Sequence, residues 1–458
     1  MNTKLSFKEY FFVGSMLFGM FFGAGNLIFP IHMGQEAGSL MLPATIGFII
    51  TATGLPFLGV LAIGISEKSG LLGLSSSVGK KWGYFFTTLL YLTIGPFFAF
   101  PRTGTVSYEI GLSLYVPEEY NRLGLLIFTI IFFTIALFFS LKPGKLVIWI
   151  GKVLNPVFLI LLGVLIAAAF LNPMGSISNA QVAKGYVNNT FSTGFIEGYN
   201  TMDALASLAF GVLVVKSLKD MGVKEPGEIA KNTAKAGAVS AALMVIIYAC
   251  LSYIGATSLG KLELSANGGI ALAQIADYYF GHFGRILLAI LVTVACLKTA
   301  IGLTTSCAEA FVSMFPKTFS YKTYVVIFTV IGGIIANVGL TQIISLSLPV
   351  LMFLYPLAIV LILFTLLFKK LKNSKIILVT TISITTVFSI GDALKSAPHN
   401  FQELNIFSGL IDIYNKVPLA RMGMGWVIPS IIGLLIGFMI WIIQVRCATI
   451  RTDKKENG

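Results

Sequence analysis

Two short stretches place chemistry where so apolar a chain has little reason to carry it. The first, Phe18-Gly19-Met20-Phe21-Phe22-Gly23-Ala24-Gly25-Asn26-Leu27-Ile28-Phe29-Pro30, sets glycines and an amide in the middle of a hydrophobic run. The second, Phe195-Ile196-Glu197-Gly198-Tyr199-Asn200-Thr201-Met202-Asp203-Ala204, contains two acids and an amide. A helix that restarts after Gly23 exposes free N–H groups and its positive dipole end, which suits a carboxylate. Glycine there lets a ligand reach the backbone. Gly23, Ala24 and Gly25 are therefore carboxylate-binding candidates, and Asn26 offers an amide oxygen to a cation or to the ligand. In the second stretch the carbonyls around Gly198, Tyr199 and Asn200, or the Glu197 carboxylate, are alternative holders of an ammonium.

Further charges sit inside hydrophobic runs: Arg102, Asp203, Lys298 and Glu309. Charge at membrane depth is costly and usually functional. Lys298 can neutralise an acid such as Asp203, acting as a gate or fixed counter-charge. Alternatively an acid such as Glu309 titrates and carries a proton, or the charges form a structural ion pair. The glycines also have a plainer reading, because Gly19-x-x-x-Gly23 is a spacing that lets helices pack closely in lipid.

The elements that must position these groups are membrane helices. Hydrophobic residues make up 56% of the chain and charged residues only 11%, against about a quarter charged in soluble domains. A stretch of roughly 20 apolar residues spans the hydrocarbon core, and about twelve occur, centred near Met20, Thr53, Leu92, Phe132, Leu161, Ala206, Ile246, Leu291, Val330, Ile359, Thr385 and Leu435. No polar stretch is long enough for a soluble domain, so residues 1–458 read as one transmembrane unit. The first run has no small-residue cleavage pattern behind it and reads as a retained helix, not a signal peptide.

The net charge of +13 lies in short clusters between spans rather than on one face, which points away from nucleic acid and toward topology. With the N-terminus inside, 23 of the 32 basic residues fall on inner segments, among them Lys80, Lys142, Lys145, Lys152, Lys224, Lys369 and Lys370. Seven fall outside and two, Arg102 and Lys298, within the membrane. This is the bias of a protein whose N- and C-termini are cytoplasmic. The cysteines Cys250, Cys296, Cys307 and Cys447 lie in spans without CxxC spacing, which supports free thiols and neither a disulfide framework nor a zinc site. Asn188-Asn189-Thr190 matches the glycosylation acceptor pattern, a weak signal.

In lipid an interrupted helix persists only where it lines a cavity or holds a ligand. The two interrupted spans are the first and the sixth, five apart, so a second set of five helices runs inverted relative to the first. Paired breaks in inverted units mark the substrate site of a secondary transporter. The expected architecture is all-α, five-plus-five inverted repeats with broken helices 1 and 6, with repeats near 8–170 and 191–370. Extra helices at 375–395 and 425–447 lie outside the repeat.

At these residues, and at Gly34-Gln35-Glu36-Ala37-Gly38, the sequence resembles the bacterial branched-chain amino acid:cation symporters over essentially its whole length. The resemblance implies import of leucine, isoleucine and valine across the plasma membrane, driven by a cation gradient, usually Na+, with H+ the other candidate. A more distant similarity is to sodium-coupled amino-acid transporters with the five-plus-five fold. It implies a sodium site from the carbonyls of Gly19, Phe22 and Ile301 and the hydroxyls of Thr304 and Thr305. Ile301, Thr304 and Thr305 share one helical face at i, i+3 and i+4, although membrane threonines often bond back to the i−4 carbonyl instead. An aliphatic substrate also needs an apolar pocket, for which Phe18, Phe21, Phe98 and Tyr199 are candidates. Any one of the 37 phenylalanines is better explained as core or lipid-facing. No nucleophile–base pair or phosphate loop points to an enzyme, and neither a cofactor nor an obligate protein partner is implied. A cation-selective channel or an uncoupled uniporter is the competing class.

Overall fold

The computed structural model describes residues 6–66, 68, 70–141, 159–160, 162–368, 371, 374–402 and 405–456, whose regular structure is helical. Ser6 opens the first helix with a reciprocal cap: its Oγ accepts the Glu9 N–H, and Glu9 Oε2 accepts the Ser6 N–H at 2.7 Å. Two donors that α1 (Phe7–Phe21) would leave unpaired are thereby satisfied. After a two-residue break comes α2 (Ala24–Ala37). Gly38, at φ +48°, turns the chain into α3 (Met41–Ile49), which runs through a π-helical turn at Ile50–Gly54 into α4 (Leu55–Ser66).

A short α5 (Gly70–Ser75) precedes α6 (Lys80–Leu92) and α7 (Ala99–Gly111). Between these two, Gly95 leaves helical geometry (φ −91°, ψ −122°) just before Pro96, which has no N–H to continue the ladder. Next come α8 (Asn121–Ser140), α9 (Leu162–Leu171), α10 (Lys184–Val187), α11 (Thr190–Glu197), α12 (Asp203–Asp220) and α13 (Pro226–Ser258). The chain ends with α14 (Gly268–Met314), bent at Gly281, then α15 (Tyr321–Ala336), α16 (Leu340–Phe368), α17 (Lys375–Lys395), α18 (His399–Gln402), α19 (Asn405–Tyr414) and α20 (Val427–Glu456).

Among the described residues eight helical runs are long and apolar enough to cross a membrane, and the bent pair of α11 and α12 makes a ninth. The run Gly25–Ser66 holds 42 residues, enough for two crossings. The shorter apolar helices α9 and α15 add to these. Every expected span centre falls in a helical segment except Leu161, which lies outside the described residues, as do Lys142, Lys145, Lys152, Lys369 and Lys370. Cys250, Cys296 and Cys307 are free thiols.

The helices sort into two packed groups. In one, α14 lies along α7, and α8 and α15 complete the group; in the other, α1, α2, α4, α12 and α13 pack together. Small residues hold the second group tight, as expected where lipid supplies no hydrophobic drive between helices. A Cβ on Gly34 would sit 2.1 Å from the Ser252 carbonyl oxygen of α13, and one on Gly255 would sit 2.0 Å from that of Ile31. The extra helices α17 and α20 pack against each other, and Asp392 of α17 accepts the N–H groups of Gly425 (3.4 Å) and Trp426 (3.2 Å).

Candidate functional site

The first break is narrower than the sequence suggests. Phe22 caps α1 by donating its N–H to the Phe18 carbonyl at 2.7 Å. Gly23 is extended, and α2 begins at Ala24, so Gly25 and Asn26 are already helical. Asn26 closes the break itself, because its Oδ1 accepts the Gly23 N–H at 2.9 Å. Its Nδ2 donates to Asp203 Oδ2 and to the Tyr248 hydroxyl, both at 2.5 Å, and that hydroxyl donates to Asp203 Oδ2 at 3.2 Å. The Asn26 oxygen expected to face a cation or ligand is thus an internal cap. The amide as a whole ties α2 to α12 and α13 in a buried network whose members satisfy one another.

The second break follows the expected stretch. After α11 a single 3-10 turn, Gly198–Thr201, leads to Met202, which is left-handed at φ 61° and ψ 9°. The two half-helices meet at a bend of 44°, and Asp203 opens α12, where the positive dipole end favours its carboxylate. Gly198 has a packing reason of its own: a Cβ there would lie 1.9 Å from Thr51 Oγ1. Tyr199 is fully buried, its ring stacked on Tyr355 with centroids 4.0 Å apart. Asn200 Nδ2 donates to Glu197 Oε2 at 3.0 Å.

Arg102 joins the two breaks, a role the sequence did not reveal. From α7 its Nη1 donates to the Asn200 carbonyl at 2.7 Å, and its guanidinium lies 4.9 Å from the centre of the Phe29 ring. A Cβ on Gly25 would come within 3.0 Å of its Nη2, and across the same space it attracts Asp203. The Asn200 carbonyl offered to a ligand ammonium is therefore already engaged.

A cavity of about 40 Å³, room for a few waters, lies between the breaks. Gly23, Gly25, Asn26, Arg102, Thr201 and Asp203 form its polar wall, and Phe21, Phe210 and Leu303 are among its apolar lining. Of the aromatic candidates only Phe21 reaches it; Phe18 stacks on Phe22 instead, centroids 4.9 Å apart. Glu197, Gly198, Tyr199 and Asn200 stand behind the wall, with Thr201, Met202 and Asp203 in front.

On α14 the break faces Lys298 and Thr299. Lys298 Nζ donates to the Gly19 carbonyl at 2.9 Å, and a Cβ on Gly23 would meet Thr299 Oγ1 at 3.2 Å. Thr304 and Thr305 lie further along the helix, about 8 Å from Thr299 at 1.5 Å per residue. Neither bonds back to its i−4 carbonyl; the Thr304 hydroxyl is buried without a partner, and that of Thr305 approaches Tyr321 without reaching hydrogen-bonding geometry. Ile301 is buried and Glu309 is exposed.

Residues 6–444 match the family model described as branched-chain amino acid transport protein. The branched-chain amino acid permease BrnQ of Lactobacillus delbrueckii subsp. lactis is 46% identical over 94% of this chain and 96% of its own length. BrnQ of Bacillus subtilis is 41% identical over 97% and 100%, and the branched-chain amino acid transport system 2 carrier protein of Pseudomonas aeruginosa is 38% identical over 95% and 96%. Among solved structures, Mhp1, a nucleobase-cation-symport-1 family transporter in a closed conformation, superposes with a TM-score of 0.61, 17% identity, and coverage of 95% of this chain and 93% of that one. At that identity the likeness is one of fold, and it places the helices in the inverted-repeat architecture. The relatives are permeases and the fold is a transporter's, so the work of this protein is transport rather than catalysis, and the chain belongs to the branched-chain amino acid transport protein family.

Proposed function

We propose that the protein imports leucine, isoleucine and valine across the plasma membrane by cation symport, with both termini cytoplasmic. The repeats near 8–170 and 191–370 exchange the exposure of the cavity between the two sides. The observation that carries this reading is that two helix breaks and two opposite charges, Arg102 of α7 and Asp203 of α12, meet around one cavity. The N–H groups at the start of α2 and the Arg102 guanidinium suit the carboxylate of a zwitterion, and Asp203 suits its ammonium. Phe21, Phe210 and Leu303 supply the apolar part. Each aliphatic methylene buried there contributes about 0.8 kcal/mol, which favours leucine over smaller amino acids.

At about 40 Å³ the cavity is too small for such a ligand, so entry requires the helices around it to move apart, as alternating access demands. The coupling ion is monovalent, Na+ by resemblance or H+. Labelled leucine uptake into proteoliposomes under imposed Na+, Li+ or H+ gradients tests the reading. Accumulation above the equilibrium level with at least one cation is expected; a channel or uniporter only equilibrates. Absence of accumulation with all three refutes symport.

A further inference from the structure

Where α1 stops at Phe21, the carbonyls of Gly19, Met20 and Phe21 have no helical N–H to accept. The Gly23 N–H that could return to Gly19 is held by Asn26 Oδ1 at 2.9 Å, and the next residues begin α2. Orphan carbonyls at the negative end of a helix, inside a membrane, call for a donor or a cation. Lys298 Nζ stands there, 2.9 Å from the Gly19 oxygen. Beside it Thr299 faces Gly23 and bonds back to the Ala295 carbonyl at 3.2 Å. A carbonyl at i with side chains at i+3 and i+4 is a spacing that converges oxygens on an ion. α14 presents that spacing to the break at Ala295, Lys298 and Thr299, with an ammonium in place of a ligand oxygen.

We propose that Lys298 is the ion-specificity residue of this carrier. Its ammonium supplies the positive charge that an alkali cation would otherwise bring to the carbonyl end of α1, so no alkali cation binds there. The proposal deepens, and rests on, the reading of this chain as a cation-coupled importer. The ammonium and an alkali ion compete for the Gly19 oxygen, and the tethered one is always present. Shortening the side chain vacates the place and leaves carbonyls and the Thr299 hydroxyl, the hard neutral oxygens that Na+ or Li+ accepts.

The test is thermal unfolding of the full-length protein in detergent, without leucine, in sodium, lithium or choline chloride at equal ionic strength. The wild-type midpoint is expected to be the same in all three salts. Lys298→Ala is expected to unfold at a lower temperature in choline and to recover several degrees in Na+ or Li+, because an ion that binds only the folded state stabilises it. Lys298→Met, which fills the space without charge, is expected to stay low in every salt. If Lys298→Ala is not recovered as a monodisperse protein, Lys298→Thr takes its place in the same assay. A wild-type protein that Na+ stabilises with the same half-saturating concentration as the variant overturns the proposal, and so does a folded Lys298→Ala that is indifferent to Na+. None of these readings uses leucine accumulation, so failure of import in proteoliposomes is a separate result.

Discussion

Replacing Arg102 by methionine separates what the guanidinium does for the fold from what it does for a ligand. Two of its contacts lie within the protein itself, the 2.7 Å bond to the Asn200 carbonyl and the Phe29 ring at 4.9 Å. A hydrogen bond from a charged donor contributes about 1.5–3 kcal/mol and a desolvated cation–π contact about 2 kcal/mol. Methionine forfeits both, leaves a buried carbonyl unpaired and removes the charge opposite Asp203, so Arg102→Met is expected to lower the unfolding midpoint by several degrees. The contact to the substrate carboxylate arises only on binding. Its loss, about 1.5–3 kcal/mol, weakens leucine affinity about 10- to 150-fold at 1.4 kcal/mol per tenfold. Arg102→Lys keeps the charge but cannot reach two acceptors as a planar fork does, so its affinity is expected to lie between the two. The assay is equilibrium binding of labelled leucine to purified protein, paired with the unfolding midpoint. A folded Arg102→Met that binds leucine within twofold of wild type refutes the assignment of the guanidinium to the substrate.

Other consequences are equally measurable. Asp203→Asn removes the only carboxylate that lines the cavity among the described residues and is expected to reduce leucine binding at least tenfold while sparing helix content by circular dichroism; undiminished binding would move the ammonium site elsewhere. Gly198→Ala forces a methyl toward Thr51 Oγ1, which would lie 1.9 Å away, an overpacking cost of about 1–3 kcal/mol. The double variant with Thr51→Ala should regain part of the lost midpoint, because the Phe48 carbonyl oxygen still lies 2.9 Å from the new methyl; no recovery would show that the backbone, not the Thr51 side chain, decides that position. Thr304→Ala and Thr305→Ala are expected to leave the cation dependence of uptake within twofold, since Lys298 and Thr299, not these hydroxyls, face the break; a raised half-saturating cation concentration would place an ion site at those hydroxyls.

The two breaks were legible because lipid makes glycine and amide residues in mid-span conspicuous. Which groups fill them was less so. Gly23 and the residues from Glu197 to Asp203 announce themselves by type, whereas Arg102 acts through a carbonyl 98 residues away, which no side-chain pattern can show. The third interruption, at Gly95-Pro96, passes for an ordinary proline in a long apolar run until Gly95 is seen outside helical geometry. On α14 the same i, i+3, i+4 spacing occurs at Ile301, Thr304 and Thr305 and again six residues earlier. Six residues rotate a helix by about 600°, or 240° beyond a full turn, so the two sets face different neighbours and only tertiary packing chooses between them. The apolar lining was least legible of all, since Phe210 and Leu303 do not differ in kind from their many lipid-facing equivalents.

Arg102 and Lys298 belong to α7 and α14 of one packed group, and each ends on a backbone carbonyl, of Asn200 and of Gly19, at a break in the other. A carbonyl survives every amino-acid substitution. The two straps between the groups are therefore genetically one-sided: variation at positions 19 and 200 leaves the acceptors in place, and only changes on the cationic side can cut them. A mutational scan will report Arg102 and Lys298 as sensitive and give no hint from the opposite ends as to where they attach. Backbone ester substitution at the amide bonds following residues 19 and 200, which weakens each acceptor without altering a side chain, is the kind of change that exposes the hidden half of each strap.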